Sequence, residues 1–343
     1  MKYFCTLINK MKRASIKDIA RIAGVSVATV SYVLNRKEGS RISETTKNKI
    51  LEIAKEINYT PNKIARSLKM NNSKLIGLIV PDISNDFFST IARLIENEAM
   101  KLGYTILIGS SDENPDKFRK LTELFSEQQV DGMIVAPVVG SDEAIKRLLR
   151  DEYPVVTIDY YLENVDLPAV MLNNFEVSES VFDYFTANNF EELIYVGYDT
   201  KLPHLLDRQH GFEKKMASSG INAKKILVGM GDVTPKVYAG LSKHLKISSK
   251  KTALYFLNNK IGIAGLHYLA KNKIRVPEDV SVIAFDETDA YSLFSTEVTY
   301  IRQPLEEMAI HAIKLLDDQI KSFSEKGIKI ICSAELIKKE SVK

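Results

Sequence analysis

The stretch Ile16–Asn35 reads IKDIARIAGVSVATVSYVLN and predicts two short helices joined by a tight turn. Ser15 and Asp18 have the spacing of a capping box, and apolar residues then recur at positions i, i+3, i+4 and i+7 of the first helix. Gly24 interrupts this pattern, and Ser26 can cap the second helix. The buried face of the second helix would consist of Val30, Val33 and Leu34.

A third helix is predicted after the polar loop 35–41, with Ser43 as its cap. Three helices in so short a stretch fit a helix-turn-helix module. Spacing of this kind also occurs in other small helical bundles, so periodicity alone leaves DNA binding open. The apolar side of the third helix would consist of Ile50, Ile53, Ala54 and Ile57.

The distribution of charge favours DNA binding. The 343-residue chain has a net charge of +3, but residues 1–74 contain 16 Lys+Arg against 5 Asp+Glu. A basic end of this kind suits phosphate groups, and the exposed side of the second helix can reach base edges. The residues expected at the DNA are Val27, Ala28, Thr29, Ser31 and Tyr32, with Arg36, Lys37 and Arg41 close behind them.

The segment 63–69, KIARSLK, connects the headpiece to the rest of the chain. Pro61 would end any helix that precedes it, and Asn62 can cap a new helix of about two turns. So short a helix is marginal in water, so it should fold only when it is held. A plain inter-domain linker is the alternative interpretation. The apolar side of this segment consists of Ile64, Ala65 and Leu68.

From Lys74 onward, apolar strands alternate with helical stretches, which predicts parallel α/β lobes. A second series of the same kind begins near Phe175. We expect the chain to cross back near 299–302, so that 305–320 and the strand IKIIC at 328–332 complete the first lobe. Such folds bind ligands outside the carboxyl ends of their strands. The main strands predicted are LIGLIV, YTILIG, DGMIVA and PVVTID in the first series, and LIYVGY, KKILVG, TALYFL and VSVIAF in the second.

Polar and aromatic residues gather at these strand ends. Hydroxyl groups need paired donors and acceptors, and a sugar ring packs on aromatic faces. Each residue alone could serve as a helix cap or a core residue, but together they favour a binding site. The predicted effector-binding residues are Asn85, Phe87, Phe88, Asp159, Arg208, Asn259, Asp286 and Gln303.

Three runs in the sequence carry a family resemblance: IKDIARIAGVSVATVSYVLN, then NYTPNKIARSLK, then LIGLIVPDISNDFF. Their order and spacing resemble the opening of the lactose-repressor (LacI/GalR) family of bacterial regulators. The resemblance extends from about Ser15 to Glu335. It implies a transcriptional regulator, expected to be a repressor, in which a periplasmic-binding-protein-like domain controls the headpiece through a small effector.

The resemblance also implies roles for individual residues. The family's base-reading positions fall on Val27, Ala28 and Tyr32, and Tyr32 departs from the Arg or His of many members. Two hinge helices would pair in the minor groove, with Leu68 as a wedge between base steps. The hinge residues expected at the DNA are Asn62, Ala65, Arg66, Leu68 and Lys69.

The strand-end residues resemble the sugar site of ribose-binding proteins and sugar-responsive repressors. Asp159 and Arg208, which family members controlled by a phosphoprotein commonly lack, are both present and favour a small sugar-like effector. Three departures from the sugar-binding pattern indicate a ligand other than ribose. They are Asp86 at a usual proline position, Tyr160 where Arg is common, and Lys260 where an acidic residue is frequent.

Other functions have little support. No apolar segment approaches the ~18 residues of a membrane span, and the apolar stretch Tyr3–Ile8 is too short for a signal peptide. Histidine spacing predicts no metal site, and no GxSxG elbow is present, so we expect no catalytic residue and no cofactor. The alternatives are a regulator controlled by a non-sugar effector or a protein, an exported receptor, or a sugar-phosphate enzyme, for which Asp159 and Asp286 would be the only acid–base pair.

The sequence therefore predicts an all-α helix-turn-helix headpiece followed by an α/β two-lobed domain with parallel, Rossmann-like sheets. We expect a cytoplasmic protein that binds operator DNA. Because the carboxyl terminus lacks a leucine heptad for further assembly, we expect it to be a homodimer. The expected boundaries are a disordered extension at 1–14, the headpiece at 15–60, a hinge at 61–73 and the effector domain at 74–343, with lobe 1 at 74–160 and 303–335 and lobe 2 at 161–302.

Overall fold

A computed structural model describes residues 14–34, 42–59, 72–162, 165–324 and 326–343. The chain divides into two compact units, Met1–Ser73 and Lys74–Lys343. This division falls where the sequence predicts the start of the effector domain. Residues 1–13 of the predicted extension, the loop 35–41 with Arg36, Lys37 and Arg41, and the hinge segment 60–71 lie outside the described residues, so their predicted roles stay predictions.

The smaller unit contains the three predicted helices: α1 (Ile16–Ala23), α2 (Val27–Leu34) and α3 (Glu44–Glu56). The capping box is present, because Ser15 N donates to Asp18 Oδ2 at 3.0 Å and Asp18 N donates to Ser15 Oγ at 3.3 Å. Helix α1 ends at Gly24, which has the left-handed φ of 71° that favours glycine. Ser26 caps α2 through Thr29 N at 3.0 Å. The three helices bury Ile19, Val30 and Ile50 between them.

The larger unit contains two six-stranded sheets. The first sheet is parallel in the order β11-β5-β4-β3-β1-β2, and the second has the order β12-β10-β9-β8-β6-β7 with only β12 antiparallel. Its strands are β1 (Leu75–Val80), β2 (Thr105–Ser110), β3 (Gly132–Val135), β4 (Val155–Ile158), β5 (Ala169–Leu172), β6 (Glu192–Tyr198), β7 (Asn222–Val228), β8 (Thr252–Phe256), β9 (Ser281–Phe285), β10 (Thr299–Arg302), β11 (Lys329–Cys332) and β12 (Glu335–Ile337).

Helices pack against both sheets, so central strands such as β3, β4, β8 and β9 are buried on both faces and read as continuous apolar runs. The helices are α4 (Asp86–Lys101), α5 (Pro115–Glu127), α6 (Asp142–Arg150), α7 (Asn174–Ala187), α8 (Pro203–Ser219), α9 (Val233–His244), α10 (Asn259–Lys271), α11 (Asp289–Ser292) and α12 (Leu305–Lys321).

The predicted lobe boundary at residue 161 is wrong. Strand β5 pairs with β4 and β11, so the chain stays in the first sheet until Leu172. The short β5 has no helix before it, so the alternating pattern used in the prediction did not include it. The return of α12 and β11 to the first lobe agrees with the prediction, but β12 then pairs with β10 in the second sheet. The described chain therefore passes between the sheets three times.

Helices α7 and α8 approach closely at Gly211. A Cβ atom on Gly211 would lie 2.1 Å from the carbonyl oxygen of Phe175, so no side chain fits there without moving the backbone. We expect Gly211→Ala to lower the free energy of unfolding by roughly 2–3 kcal/mol, the cost of overpacking a rigid contact. Thermal unfolding of the purified chain would measure this loss.

Gly231→Ala is the matched control, because a Cβ atom at Gly231 would meet nothing within 4 Å. An unchanged melting temperature in both variants would show that the helices can separate at no cost.

Candidate functional site

A cleft opens at the carboxyl ends of the strands of both sheets. Its empty volume, including open solvent at the mouth, is about 840 Å³. Seven of the eight predicted effector residues line it: Asn85, Phe87, Phe88, Asp159, Arg208, Asp286 and Gln303. The strand-end argument thus brought together residues separated by more than half of the chain.

The first lobe contributes the segment that follows β1. Asn85 caps α4 by accepting a hydrogen bond from Phe87 N at 3.1 Å. The cap fixes the first turn of the helix, and the rings of Phe87 and Phe88 pack edge to face with centroids 4.8 Å apart. Both rings are largely buried and line the cleft. The first-lobe side of the cleft therefore presents two aromatic rings beside the side-chain amide of Asn85.

The second lobe contributes Asp286, which follows β9 with a left-handed φ of 70°. Its Oδ1 accepts a hydrogen bond from Gln303 Nε2 at 2.6 Å, and its Oδ2 accepts one from Asn259 N at 3.0 Å. Burial raises the pKa of Asp286, against the opposing effects of Arg208 and these hydrogen bonds. Both carboxylate oxygens of Asp286 therefore already accept a hydrogen bond within the protein, one from the Gln303 side chain and one from the Asn259 backbone.

Arg208 lies within helix α8 and not at a strand end, which corrects its predicted position. Helix α8 begins at the cleft, so its first turns line the site. The guanidinium is buried: Nε donates to Asn174 Oδ1 at 2.7 Å, Nη1 donates to Leu257 O at 3.0 Å, and the group stacks 3.6 Å from the Phe285 ring centroid. These contacts fix its orientation while leaving further N–H groups for a ligand.

Asp159 follows β4 and is 6% exposed, with a left-handed φ of 68°. Its Oδ2 lies 3.5 Å from His204 Nε2, and its Oδ1 has no hydrogen-bond partner in the protein. The His204 side chain is 11% exposed, and desolvation lowers its pKa despite the nearby carboxylate. The imidazole is therefore neutral near pH 7, and Asp159 keeps an unpaired acceptor in the cleft.

His204 belongs to the site, and the sequence analysis missed it. It stands four residues before Arg208 on the same helix, so the i, i+4 spacing places both on one face. Glu113 and Tyr198 were also missed, and Tyr160 was noted only as a departure from the sugar-binding pattern, although each lies at or just beyond the end of a strand. Glu113 remains exposed to solvent, and partial desolvation by the cleft walls is the main cause that raises its pKa to about 7.

Polar contacts connect the two lobes beside the cleft. Asn259, the one predicted residue that does not line the cleft, donates from Nδ2 to Asn85 Oδ1 at 2.8 Å. Lys260 forms an ion pair with Asp82. Thr288 Oγ1 donates to Asp86 Oδ2 at 2.7 Å. Asp86 and Lys260, two departures from the sugar-binding pattern, thus join one lobe to the other.

In the headpiece, α2 presents the predicted base-reading residues on the side opposite Val30 and Val33. Val27, Ala28 and Tyr32 are exposed, and the Tyr32 residue is 47% exposed. The two remaining predicted residues, Thr29 and Ser31, are half-buried.

The described residues contain no cluster of acidic, histidine or cysteine side chains that could hold a metal ion. Within that same part of the chain, no helix combines the length and apolar character that crossing a membrane requires.

Comparison with known proteins finds a matching family model for each of the two units. A model of bacterial regulatory proteins of the lacI family matches residues 15–62, and a model of periplasmic binding protein-like domains matches residues 182–342. The HTH-type transcriptional regulator RegA of Clostridium saccharobutylicum is 32% identical over 334 residues, covering 95% of this chain and 98% of the relative. The chain belongs to the lacI family.

Other lacI-family proteins agree with this assignment. The HTH-type transcriptional repressor PurR of Histophilus somni (strain 2336) is 30% identical, covering 96% of this chain and 99% of the relative. Because these relatives are transcriptional regulators, membership of the family makes this chain a DNA-binding regulator and not an enzyme, as the sequence predicted.

Solved structures show the same fold, one over both units and one over most of the chain. The lac repressor dimer bound to operator and the anti-inducer ONPF has a TM-score of 0.82 at 19% identity, covering 96% of this chain and 99% of that chain. A LacI family transcriptional regulator from Enterococcus faecium with bound ribose has a TM-score of 0.68 at 23% identity, covering 78% of this chain and 98% of that chain. The predicted fold class is confirmed.

Proposed function

We propose that this lacI-family protein is a repressor of carbohydrate-utilisation genes whose DNA binding is controlled by a small sugar-like effector in the cleft. It would act in the bacterial cytoplasm as a homodimer on operator DNA. The lac repressor is a dimer on its operator, and the Enterococcus faecium regulator binds ribose, which supports both parts of the proposal by similarity of fold.

The observation that carries the effector proposal is a set of buried acceptors without partners beside aromatic rings. Asp159 Oδ1 and Gln303 Oε1 have no hydrogen-bond partner, and both residues line the cleft. A buried acceptor without a donor costs roughly 1–3 kcal/mol. The hydroxyl groups of a sugar would satisfy these acceptors, and its ring would pack against Phe87 and Phe88.

A thermal-shift screen of the full chain against free pentoses, hexoses and disaccharides tests this part of the proposal. A ligand that binds only the folded state raises the melting temperature, by the equivalent of about 2.7 kcal/mol at 100 times its Kd. We expect at least one sugar to do so. If no sugar stabilises the chain while a non-sugar metabolite does, the carbohydrate proposal is wrong.

For the DNA-binding part, we propose that α2 reads base edges through Val27, Ala28 and Tyr32, with Thr29 and Ser31 at its flank. The hinge residues Asn62, Ala65, Arg66, Leu68 and Lys69, which lie outside the described residues, would enter the minor groove. The lac operator complex supports this arrangement by similarity of fold.

Tyr32→Ala should weaken binding to the specific operator by about 5- to 150-fold, the cost of losing ~1–3 kcal/mol of base contact. Binding to unrelated DNA should change little, because it depends on the basic side chains. Fluorescence anisotropy with both duplexes measures the two affinities. Leu51→Ala is the matched control, since Leu51 is a similarly exposed apolar residue on α3. Equal losses in the two variants would contradict the assignment of Tyr32.

A further inference from the structure

The three polar contacts that join the lobes beside the cleft all start from one short segment of the first lobe. This segment, residues 82–86, follows β1, and every partner is a group of the second lobe. The three contacts form an inter-lobe latch: the ion pair of Asp82 with Lys260, the hydrogen bond from Asn259 Nδ2 to Asn85 Oδ1 at 2.8 Å, and the hydrogen bond from Thr288 Oγ1 to Asp86 Oδ2 at 2.7 Å.

The latch lies away from the places where the described chain crosses between the lobes. These crossings follow β5, β10 and β11, and β5 and β11 are neighbours at one side of the first sheet. The latch segment follows β1, which is three strands from β5 in that sheet, a separation of roughly 14 Å. Rotation of the lobes about the crossings would separate the latch residues, so the latch opposes opening of the cleft.

Contacts within the first lobe hold its half of the latch in position. Ser84 donates to Asp82 Oδ1 from N at 2.9 Å and from Oγ at 2.6 Å, and Asn85 caps α4. Partial burial acts to raise the pKa of Asp82, but the hydrogen bonds from Lys260 and Ser84 outweigh it and lower the pKa. Asp82 is therefore ionised near pH 7 and attracts the lysine of the other lobe.

The half of the latch in the second lobe is fixed in a similar way. Asn258 caps α10, the helix on which Asn259 and Lys260 lie, and Asn259 N donates to Asp286 Oδ2 at 3.0 Å. Asn259 and Asn85 are 2% and 9% exposed, so water competes little for the hydrogen bond between them. Because both halves are ordered before they meet, joining them costs little side-chain entropy.

We propose that the inter-lobe latch holds the two lobes together without effector, so that an effector can enter the cleft only when the latch opens. This gives a function to Asp86 and Lys260, two of the residues that depart from the sugar-binding pattern. The Lys260 and Asp82 side chains are 42% and 27% exposed, so salt weakens their attraction. Effector should therefore enter faster at high ionic strength.

Resonance energy transfer within the full chain tests the latch without any ligand. The dyes would be attached at Asp116→Cys and Lys201→Cys, two exposed positions that follow β2 and β6 on the sides of the sheets away from the crossings. Cys5 would be replaced by serine, and Cys332 is buried. Labelled chains would be mixed with an excess of unlabelled chain, so that each reports the separation of its own lobes.

Lys260→Met combined with Thr288→Val removes two of the three latch contacts. We expect the ratio of closed to open molecules to fall about 3- to 50-fold, so the dye separation should increase. Lys260→Arg with Thr288→Ser keeps the charge and the hydroxyl group and should keep the wild-type separation. Lys339→Met with Thr296→Val is the matched control, because these side chains bond at 2.9 Å and 2.6 Å to partners within the second lobe.

A salt titration of the labelled wild type gives a second measurement. The Debye length falls from about 10 Å at 0.1 M to about 3 Å at 1 M salt, so the attraction between Asp82 and Lys260 weakens and the dye separation should increase. Lys260→Met should respond less. Equal separation in the latch variant and the wild type, or a wild type that salt leaves unchanged, would overturn the inference. Because the experiment contains no effector, its result is independent of the proposed sugar-responsive function.

Discussion

Replacing Asp159 by asparagine is expected to weaken effector binding by about 10- to 150-fold while leaving the folded domain at least as stable. A hydrogen bond from a ligand hydroxyl to a charged carboxylate contributes roughly 1.5–3 kcal/mol, which corresponds to this loss of affinity. Within the protein, Oδ1 of Asp159 has no partner and Oδ2 lies 3.5 Å from His204. Asparagine also tolerates the left-handed backbone found here.

Asp286→Asn provides the contrast. Both oxygens of Asp286 accept hydrogen bonds, from Gln303 and from the backbone of Asn259. An asparagine amide would direct its NH₂ group at one of these donors, so this variant should lose stability together with ligand affinity. Isothermal titration with the identified effector, combined with thermal unfolding, separates the two losses. Wild-type affinity in Asp159→Asn would remove Asp159 from the binding site.

The same variants test the coupling between the cleft and the DNA. An effector shifts a two-state equilibrium only through its difference in affinity for the two states. A chain that no longer binds effector should therefore keep its effector-free behaviour on operator DNA at ligand concentrations that saturate the wild type. Operator affinity without effector should be unchanged, because the base-reading residues belong to a separate compact unit.

The sequence predicted the cleft well because the physics of parallel sheets places all carboxyl strand ends on one edge. That rule places Asn85, Asp159 and Asp286 at the cleft, and their role in effector binding stays a prediction. Their individual contacts could not be predicted, since they depend on side-chain distances. Asn259 shows the difference: it begins α10 after a strand end, yet it bonds to Asn85 and Asp286 and does not line the cavity.

Arg208 and His204 show where strand-end reasoning stops. Both enter the cleft from helix α8, well beyond the end of β6, and only the position of the helix places them there. The inter-lobe contacts of Asp86 and Lys260 could not be predicted either. The sequence marked both residues as unusual for a sugar binder, but their partners lie more than 150 residues away along the chain. The lobe boundary failed because β5 lacks the preceding helix that the repeating pattern requires.

We expect the chain to bind a twofold-symmetric operator at least about 100-fold more tightly than a duplex in which one half-site is scrambled. One reading helix contacts only a few base pairs, and a dimer doubles these contacts. Because the second headpiece is already held near its half-site, its binding is an intramolecular step. The operator would be selected from a random-sequence pool with the purified protein. Anisotropy titrations would then compare the intact and the scrambled duplexes at several salt concentrations.

Salt dependence supplies the internal check, because residues 1–74 contain 16 Lys+Arg against 5 Asp+Glu. Each phosphate contact contributes about −0.9 to the slope of log K against log salt concentration, so the scrambled duplex should show a shallower slope if only one headpiece engages it. A matched duplex with five base pairs inserted between intact half-sites should also bind weakly, since half a helical turn moves the second half-site to the opposite face of the DNA. Equal affinity for all three duplexes, with a monomer at working concentration, would show that a single headpiece is sufficient.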